Sequence, residues 1–294
     1  MSLLGALAAG IGTVTGKPFV PVRCDETGGG CINKTVIVDG QDGRRYFAKF
    51  NDAARVDMFQ AEFEGLHELE RTRAIRVPQP ICVGNDDGQA FLVLEYLELC
   101  RDRATTQQRL GQQLSVLHRT TQTRFGWHRD NTIGSTPQSN DWSHDWIEFY
   151  RERRLRAQLD RAAERGETAL RARGERLLER VTDFFTDYRS VPSLLHGDLW
   201  GGNVGALRDG EPAIFDPAVY FGDREADIAM TELFGGFTGT FYDAYREAWP
   251  LDAGYRVRKQ LYNLYHIVNH FNLFGGGYGT QAHDMIERLL SELY

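Results

Sequence analysis

The strand signals of this chain lie in its first third, and helical spacing dominates the part that follows. Thr35–Val38 is β-branched, Arg45–Phe50 alternates polar and apolar side chains, and Ala90–Leu94 is a continuous apolar run, which are patterns typical of strands. From Arg109–Arg119 onward, apolar residues recur on one helical face. This order of elements predicts an α+β fold with two lobes.

We predict that the lobes divide after residue 97, where the last apolar strand gives way to an extended connector. Residues 1–97 are expected to form a small lobe around an antiparallel sheet. Residues 98–294 are expected to form a larger, mainly helical lobe. Ligand sites tend to form in the cleft between two such lobes.

Composition and charge exclude several classes of protein. A hydrophobic fraction of 41% supports a sizeable core, whereas a formal net charge of −7 argues against non-specific nucleic-acid binding. The apolar start, Ser2–Ile11, lacks the positive charge of a signal peptide and predicts a short amphipathic helix. No apolar run approaches the roughly 18 residues of a spanning helix. We therefore expect neither a nucleic-acid nor a membrane partner.

The cysteines indicate a reducing compartment. The chain has four, too few for a disulfide framework at this length, and none of them forms a C-x-x-C pair. A zinc site is therefore not expected. The predicted location is the cytoplasm.

A polar cluster lies between two short apolar runs near residue 200. Asp198 follows His196-Gly197, Asn203 comes five residues after Asp198, and Asp216 lies thirteen residues further on. Phosphoryl transfer requires a carboxylate that accepts a hydroxyl proton and oxygen ligands that hold Mg²⁺ on nucleotide phosphates. The protein-kinase loop H-R-D-x-x-x-x-N has the same interval. We predict that Asp198 is the base, that Asn203 and Asp216 bind metal, and that His196 fixes the loop.

A lysine and a glutamate in the first lobe form a second candidate group. Lys49 ends the alternating strand, and Glu62 follows thirteen residues later in a segment with helical spacing. Kinases use a strand lysine held by a helix glutamate to bind the α/β-phosphates. Glu64 lies roughly 200° further round the helix, so only one of the two glutamates can face the lysine.

Four further features belong to the candidate site, and three of them have two interpretations. Gly28-Gly29-Gly30 either covers phosphates with its backbone N–H groups or forms a flexible hairpin tip. Glu95-Tyr96-Leu97 follows the apolar strand, where its backbone is placed to recognise adenine. Trp200 offers an aromatic face to a sugar or simply packs. Cys31 is either an oxidisable thiol, if its pKa is lowered, or an ordinary one.

These segments together resemble the fructosamine kinase (ketosamine-3-kinase) family, a branch of the protein-kinase-like fold related to aminoglycoside phosphotransferases. The most specific pieces are Leu195–Asn203, Phe215–Ala218, Tyr220–Asp223 and Phe234–Phe237. H-G-D alone is shared with antibiotic and choline kinases, whereas H-G-D-L-W-x-G-N followed by D-P-A is much narrower. The similarity extends from the glycine turn nearly to the C-terminus.

The resemblance implies a kinase that uses ATP and Mg²⁺ to phosphorylate the sugar 3-hydroxyl of a ketosamine, after which the amine sheds the sugar. It also implies that Cys31 corresponds to a glycine-loop cysteine associated with redox-sensitive disulfide dimers. The expected state is therefore a monomer or a redox-dependent homodimer. It implies that Asp198 accepts the proton and that Asn203 and Asp216 bind the metal. It further implies that Lys49 and Glu62 position the phosphates and that Glu95–Leu97 form the adenine hinge.

Two alternatives remain open at this point. One is a phosphotransferase of the aminoglycoside or choline type, which the narrow motif around Trp200 disfavours. The other is a catalytically inactive, nucleotide-binding regulator, which the presence of every expected polar group disfavours. The pattern is equally compatible with fructosamine and ribulosamine substrates.

Overall fold

The computed structural model describes residues 2–28, 32–100 and 104–293. Its helices are α1 (Leu3–Thr15), α2 (Val56–Thr72), α3 (Ala104–His118), α4 (Trp146–Tyr150), α5 (Ala157–Glu164), α6 (Thr168–Leu178), α7 (Arg224–Leu233), α8 (Gly239–Ala248), α9 (Tyr255–Phe274) and α10 (Tyr278–Ser291). Its strands are β1 (Pro21–Thr27), β2 (Lys34–Gly40), β3 (Arg45–Asp52), β4 (Pro80–Asp86), β5 (Gln89–Glu95), β6 (Asn131–Ile133), β7 (Thr136–Gln138), β8 (Ser193–Leu195), β9 (Val204–Ala206), β10 (Pro212–Ile214) and β11 (Tyr220–Gly222).

The chain forms two compact units. The first contains the described residues of Met1–Thr106 together with Val204–Pro217, and the second contains those of Gln107–Asn203 and Ala218–Tyr294. The segment that carries Asp216 therefore belongs to the first unit, although it follows the loop of Asp198 in sequence. The predicted division after residue 97 stays a prediction.

The first unit is built on a five-stranded antiparallel sheet with the strand order β1-β2-β3-β5-β4. Alternate residues such as Val36 and Val38 are buried, as the β-branched pattern predicts, and they share a core with Leu7 and Ile11 of α1. The predicted N-terminal helix is confirmed and continues to Thr15. Helix α2 packs against β4 and β5. This arrangement places Lys49 of β3 in a central strand of the sheet.

The connection between β4 and β5 is a two-residue turn, Asp87-Gly88, with φ values of 51° and 74°. Positive φ at both positions is typical of a type I′ turn, whose twist matches that of the flanking strands. The turn sets the register in which β5 pairs with both β4 and β3.

Helix α9 is the central element of the second unit. It packs against α5, α7 and α10, and residues 261–269 are buried without interruption. A helix that is buried on all its faces lies inside a domain rather than on its surface. None of the helices in the described part of the chain is long and apolar enough to cross a membrane.

A π-helical turn at Arg151–Arg156 joins α4 to α5. Arg154 lies within it, fully buried, and donates hydrogen bonds to the carbonyl of Ser139 at 2.7 Å and to Asn140 Oδ1 at 2.6 Å. Its guanidinium also lies 4.1 Å from the ring centroid of Tyr220. The Arg- and Leu-rich composition predicts a helix here, but not the π turn.

A buried histidine of α9, His266, predicts that acid destabilises the fold. Burial, reinforced by His270 and Arg154, lowers the pKa of His266 to about 3, and burial lowers that of His270. The unfolded chain binds a proton at His266 below a pH of about 6.5, whereas in the folded chain this histidine stays neutral until the pH approaches about 3. The part of the stability that depends on this titration is therefore fully present above a pH of about 6.5 and is lost as the pH falls below it.

We expect His266 to reduce the free energy of unfolding by about 1.4 kcal/mol per pH unit over this range. Urea unfolding between pH 6.5 and pH 4 measures the slope, and His266→Gln should make it shallower by about one histidine's share. The exposed His144→Gln is the matched control and should retain the full slope. An unchanged slope in His266→Gln would contradict the prediction.

Candidate functional site

Lys49, Glu62 and Asp216 meet within the first unit. Lys49 Nζ donates hydrogen bonds to Glu62 Oε1 at 2.6 Å and to Asp216 Oδ1 at 2.7 Å, and the lysine is only 3% exposed. Glu64, two positions along α2, instead accepts a hydrogen bond from Gln60 at 2.9 Å. Of the two candidate glutamates, Glu62 is the one that pairs with the lysine.

The charges in this cluster keep the lysine cationic. Burial alone lowers the pKa of Lys49, but the carboxylates of Asp216 and Glu62 raise it overall. Burial raises the pKa of Glu62 to about 7, because attraction to Lys49 only partly offsets desolvation and repulsion by Asp216. Near neutral pH the glutamate is thus partly protonated while the ammonium remains charged. A fixed cation of this kind is suited to bind a phosphate group.

Asp216 follows β10 and has a left-handed φ of 59°. Strand β10 pairs with β9, and the N–H of Ile214 donates to the carbonyl of Arg76 at 2.9 Å, so the end of the strand is fixed within the first unit. A non-glycine residue in this conformation costs about 1–3 kcal/mol, and such strain concentrates at functional sites. The side chain of Asp216 is 45% exposed and therefore accessible to a ligand.

The loop that carries Asp198 follows β8 in the second unit. Asn203 is 5% exposed, and its Nδ2 donates to the Asp198 backbone carbonyl at 2.9 Å and to Asp198 Oδ2 at 3.3 Å. His196 Nδ1 accepts a hydrogen bond from the N–H of Asp198 at 3.3 Å, the scaffold contact expected of this histidine. Asn203 thus contacts the half-buried Asp198 at its carboxylate and its backbone carbonyl, and His196 contacts its backbone N–H.

Asp227 of α7 holds the same loop by its backbone. Its Oδ2 accepts from the N–H of His196 at 2.7 Å, its Oδ1 accepts from the N–H of Gly197 at 2.9 Å, and His118 Nε2 lies 3.2 Å from Oδ2. Burial raises the pKa of Asp227, but hydrogen bonding to His118 and to the loop backbone lowers it overall, so the carboxylate stays ionised. Sequence reasoning missed this positioning residue. Its signal was an acid directly before the apolar run Ile228–Met230.

The backbone explains why Gly197 stands where protein kinases have arginine. Gly197 has a φ of 82°, and a Cβ atom there would lie 2.0 Å from the carbonyl oxygen of Ala218. The N–H of Ala218 in turn donates to the carbonyl of His196 at 2.8 Å. This hydrogen bond holds the backbone of Ala218 against that of Gly197. No L side chain fits without moving one of the two segments.

Trp200, two residues beyond Asp198, is 40% exposed. Its ring packs over Gly202, where an added Cβ would lie 2.2 Å from a ring carbon, and it meets the ring of Phe234 edge-on at a centroid distance of 6.4 Å. Packing therefore fixes the indole while part of its surface stays accessible. Trp200 can therefore both pack within the fold and offer an aromatic face to a sugar.

The predicted hinge is less open to a ligand than its sequence suggests. The N–H of Glu95 donates to the carbonyl of Gln79 at 2.8 Å, and the Glu95 carboxylate accepts from the N–H of Gln79 and from Arg76. An adenine contact from this segment would therefore come from the backbone carbonyl of Glu95 or from the backbone of Tyr96 and Leu97. All three residues are half-buried.

The predicted glycine loop is described only in part. Gly28 is exposed and begins a bend after β1. Gly29, Gly30 and Cys31 lie outside the described residues. The predictions made for those three residues therefore stay predictions.

The donor chemistry fits a magnesium ion that is brought in with nucleotide phosphates. Among the described residues, no group of three or more His, Cys, Asp or Glu side chains is placed to hold a metal. Mg²⁺ is usually bound by one or two protein oxygens together with phosphates and water. The carboxylate of Asp216 and the amide oxygen of Asn203 are ligands of the kind it prefers.

Comparison with known proteins identifies the family. The fructosamine kinase family model matches residues 4–292. The chain belongs to the fructosamine kinase family. This family member is 46% identical over 290 residues to a protein of Synechocystis sp. named "Probable ketoamine kinase", with 97% of this chain and 96% of the relative covered. It is 41% identical over 282 residues to a chloroplastic protein-ribulosamine 3-kinase of Arabidopsis thaliana, with 95% and 86% covered.

Solved structures agree on the fold. A crystal structure from Haemophilus somnus, assigned as a fructosamine-3-kinase, superposes with a TM-score of 0.89 at 28% identity and covers 97% of this kinase and 96% of its own chain. An aminoglycoside phosphotransferase superposes with a TM-score of 0.61 at 14% identity, covering 97% and 98%, and shares the fold alone. The predicted α+β, two-lobed, protein-kinase-like fold is confirmed. So is the predicted class of enzyme, an ATP-dependent ketosamine kinase that phosphorylates a hydroxyl group.

Proposed function

We propose that this kinase transfers the γ-phosphate of ATP to the 3-hydroxyl of a ketosamine, with Asp198 as the base. The observation that carries the proposal is the Asp198 carboxylate, which Asn203 contacts in a loop anchored by Asp227. A carboxylate fixed in this way is suited to accept a hydroxyl proton, because little reorganisation is needed when the reaction occurs. The names of the relatives support the substrate class.

In the proposed reaction, each of the residues described above has a separate role. Asp198 accepts the proton of the sugar 3-hydroxyl, the hydroxyl oxygen forms a bond to the γ-phosphorus, and the bond from that phosphorus to the ADP oxygen breaks. Lys49, held by Glu62, binds the α/β-phosphates. Asn203 and Asp216 would hold Mg²⁺, which when bound neutralises negative charge on the phosphates.

The remaining predicted contacts also belong to this proposal. The backbone N–H groups of Gly28, Gly29 and Gly30 would cover the phosphates, and the backbone of Glu95, Tyr96 and Leu97 would recognise adenine. Trp200 would stack against the sugar ring, since part of its indole is exposed next to Asp198.

Phosphorylation at C3 releases the amine. The enaminol that forms across C1 and C2 of the sugar expels phosphate from C3, and hydrolysis of the resulting imine frees the amine. The reaction therefore reverses glycation rather than storing a phosphorylated product.

A substrate panel tests this proposal. We expect fructoselysine and ribuloselysine to support ADP release at least tenfold faster than kanamycin or choline, a difference of about 1.4 kcal/mol in transition-state stabilisation. ³¹P and ¹H NMR of the products should place the phosphate on the sugar 3-hydroxyl. Equal turnover of kanamycin, or phosphate on another hydroxyl, would refute the proposal.

We also propose a cytoplasmic location and a monomer or redox-dependent homodimer. Among the described residues, Cys24, Cys82 and Cys100 are free thiols, as expected in a reducing compartment. The redox role of Cys31 stays a prediction, because that residue lies outside the described part of the chain.

A further inference from the structure

The segment Phe234–Phe237, the F-G-G-F loop, directly follows α7 and has no role in the reaction proposed above. Aromatic contacts fix both of its ends. The ring centroid of Phe234 lies 4.7 Å from that of His270 on α9. The ring centroid of Phe237 lies 4.8 Å from that of Phe241 on α8. Two helices of the second unit therefore hold the loop in place.

The F-G-G-F loop approaches the loop of Asp198 so closely that both sides require glycine. A Cβ atom on Gly236 would lie 2.7 Å from the Cα of Gly201, and one on Gly201 would lie 2.9 Å from the carbonyl oxygen of Gly235. Carbon atoms make favourable contact at about 3.5–4.0 Å, so a methyl group on Gly236 would have to move the two backbones apart by about 0.8 Å or more. The close approach thus depends on the absence of a side chain at these positions.

The same approach determines where Trp200 lies. Gly201 follows Trp200 directly in the chain, and the ring of Phe234 meets the indole edge-on, an arrangement that aromatic pairs favour. The F-G-G-F loop therefore contacts Trp200 at its ring and at the next residue of the backbone. Phe234 is 38% exposed, close to the exposure of Trp200, so these contacts leave part of both rings accessible.

We propose that Gly236 and Phe234 are positioning residues for the acceptor, because they set the place of Trp200 and, through it, the place of the sugar beside Asp198. The inference rests on the proposed function, in which Trp200 stacks against the sugar ring. A shift of about 1 Å that originates away from the reacting atoms can reduce the rate by a factor of roughly 10². The contact between the two loops is therefore close enough to control how well the acceptor binds.

The nucleotide side should be insensitive to the same contact. Lys49 and Glu62, which we propose to position the phosphates, belong to the first unit, whereas both loops belong to the second. Asn203 lies two residues beyond Gly201, but its own hydrogen bond to the Asp198 carbonyl, at 2.9 Å, holds it in place. A defect in the F-G-G-F loop is thus expected to change the KM of the acceptor and not that of ATP.

The two KM values test the inference. Gly236→Ala is expected to raise the KM for fructoselysine by a factor of about 10 to 100 and to leave the KM for ATP within about twofold. Loss of folded protein alone would reduce the amount of active enzyme and leave both KM values unchanged. The matched control is Gly166→Ala. Gly166 has a φ of 99°, close to the 96° of Gly236, but a Cβ atom there would meet no atom of the described residues within 4 Å. The control should change neither KM.

The fluorescence of Trp200 gives a readout that needs no substrate. It is the difference between the emission of a protein and that of the same protein carrying Trp200→Phe, in which the other tryptophans cancel. Gly236→Ala should shift the Trp200 emission and change its quenching by acrylamide, whereas Gly166→Ala should change neither. If the ketosamine panel refutes the proposed function, this measurement still decides whether the loop positions Trp200.

Phe234→Leu keeps the test open if Gly236→Ala does not fold, since it removes the ring contact without adding a Cβ atom. We expect it to raise the KM for fructoselysine roughly three- to tenfold, the range set by the strength of an aromatic pair. Phe274→Leu is its control, because that exposed ring meets His270 and, within the described residues, not Trp200. An unchanged KM for fructoselysine in the folded variants would overturn the inference. An equal rise in the KM for ATP, or an unchanged Trp200 emission, would overturn it as well.

Discussion

Asp198→Asn is expected to lower turnover by a factor of roughly 10² to 10⁴ while ATP binding stays close to that of the unmodified enzyme, because the variant loses a general base. The amide has nearly the shape of the carboxylate, and its oxygen can still accept the hydrogen bond from Asn203 Nδ2. The lost function is proton acceptance from the sugar hydroxyl. Turnover with a ketosamine and ATP affinity by titration calorimetry measure the two effects separately.

The control for this variant is Asp187→Asn, which removes an exposed acid elsewhere in the same unit. Its turnover and ATP affinity should match those of the unmodified enzyme. If Asp198→Asn keeps more than a tenth of the turnover, Asp198 is not the base. If it loses ATP binding as well, the substitution has disturbed more than proton transfer.

Lys49→Met is expected to have the second large effect, on both activity and stability. The variant loses the cation placed to bind phosphates, and removing such an electrostatic group costs a factor of about 10² to 10³ in turnover. It also leaves Glu62 buried without its cationic partner. Breaking a buried pair from one side costs about 3–5 kcal/mol, although part of this is avoided because Glu62 already has a pKa of about 7 and can take up a proton.

The double variant Lys49→Met/Glu62→Gln separates the two effects. Removing the carboxylate charge as well should recover most of the lost stability, measured by urea unfolding, while turnover stays low. Lys17→Met, at an exposed lysine of the same unit, should change neither quantity. Recovery of turnover in the double variant would show that Lys49 serves the fold rather than the phosphates.

The sequence predicted those parts of the site that depend on spacing along the chain. The interval from Asp198 to Asn203 spans one short loop, and alternation in β3 placed Lys49 on a strand, so local patterns were sufficient. The sheet of the first unit was equally predictable, because its β-branched and alternating runs agree with the strands that form. The choice of Glu62 over Glu64 depended on family resemblance, and the structure pairs Glu62 with the lysine.

Contacts between distant segments were not predictable. Asp227 lies 31 residues from His196, and only the packing of α7 brings its carboxylate to the loop. Asp216 joins the first unit because its segment hydrogen-bonds to the backbone of Arg76 and Cys100, more than a hundred residues away in sequence, which no local pattern signals. The π turn at Arg154 adds a residue to a helical turn without changing the composition that predicts the helix.

The close approach of Gly197 to Ala218 limits how this loop can be exchanged with that of another kinase. An engineered chimera that brought in the arginine of H-R-D alone would place a side chain where the Ala218 carbonyl lies, 2.0 Å from the position of its Cβ. The two segments therefore form one transplantable module, although about twenty residues of chain separate them. A graft that moves the segments of Gly197 and Ala218 together preserves the turn, whereas a single substitution at position 197 would not.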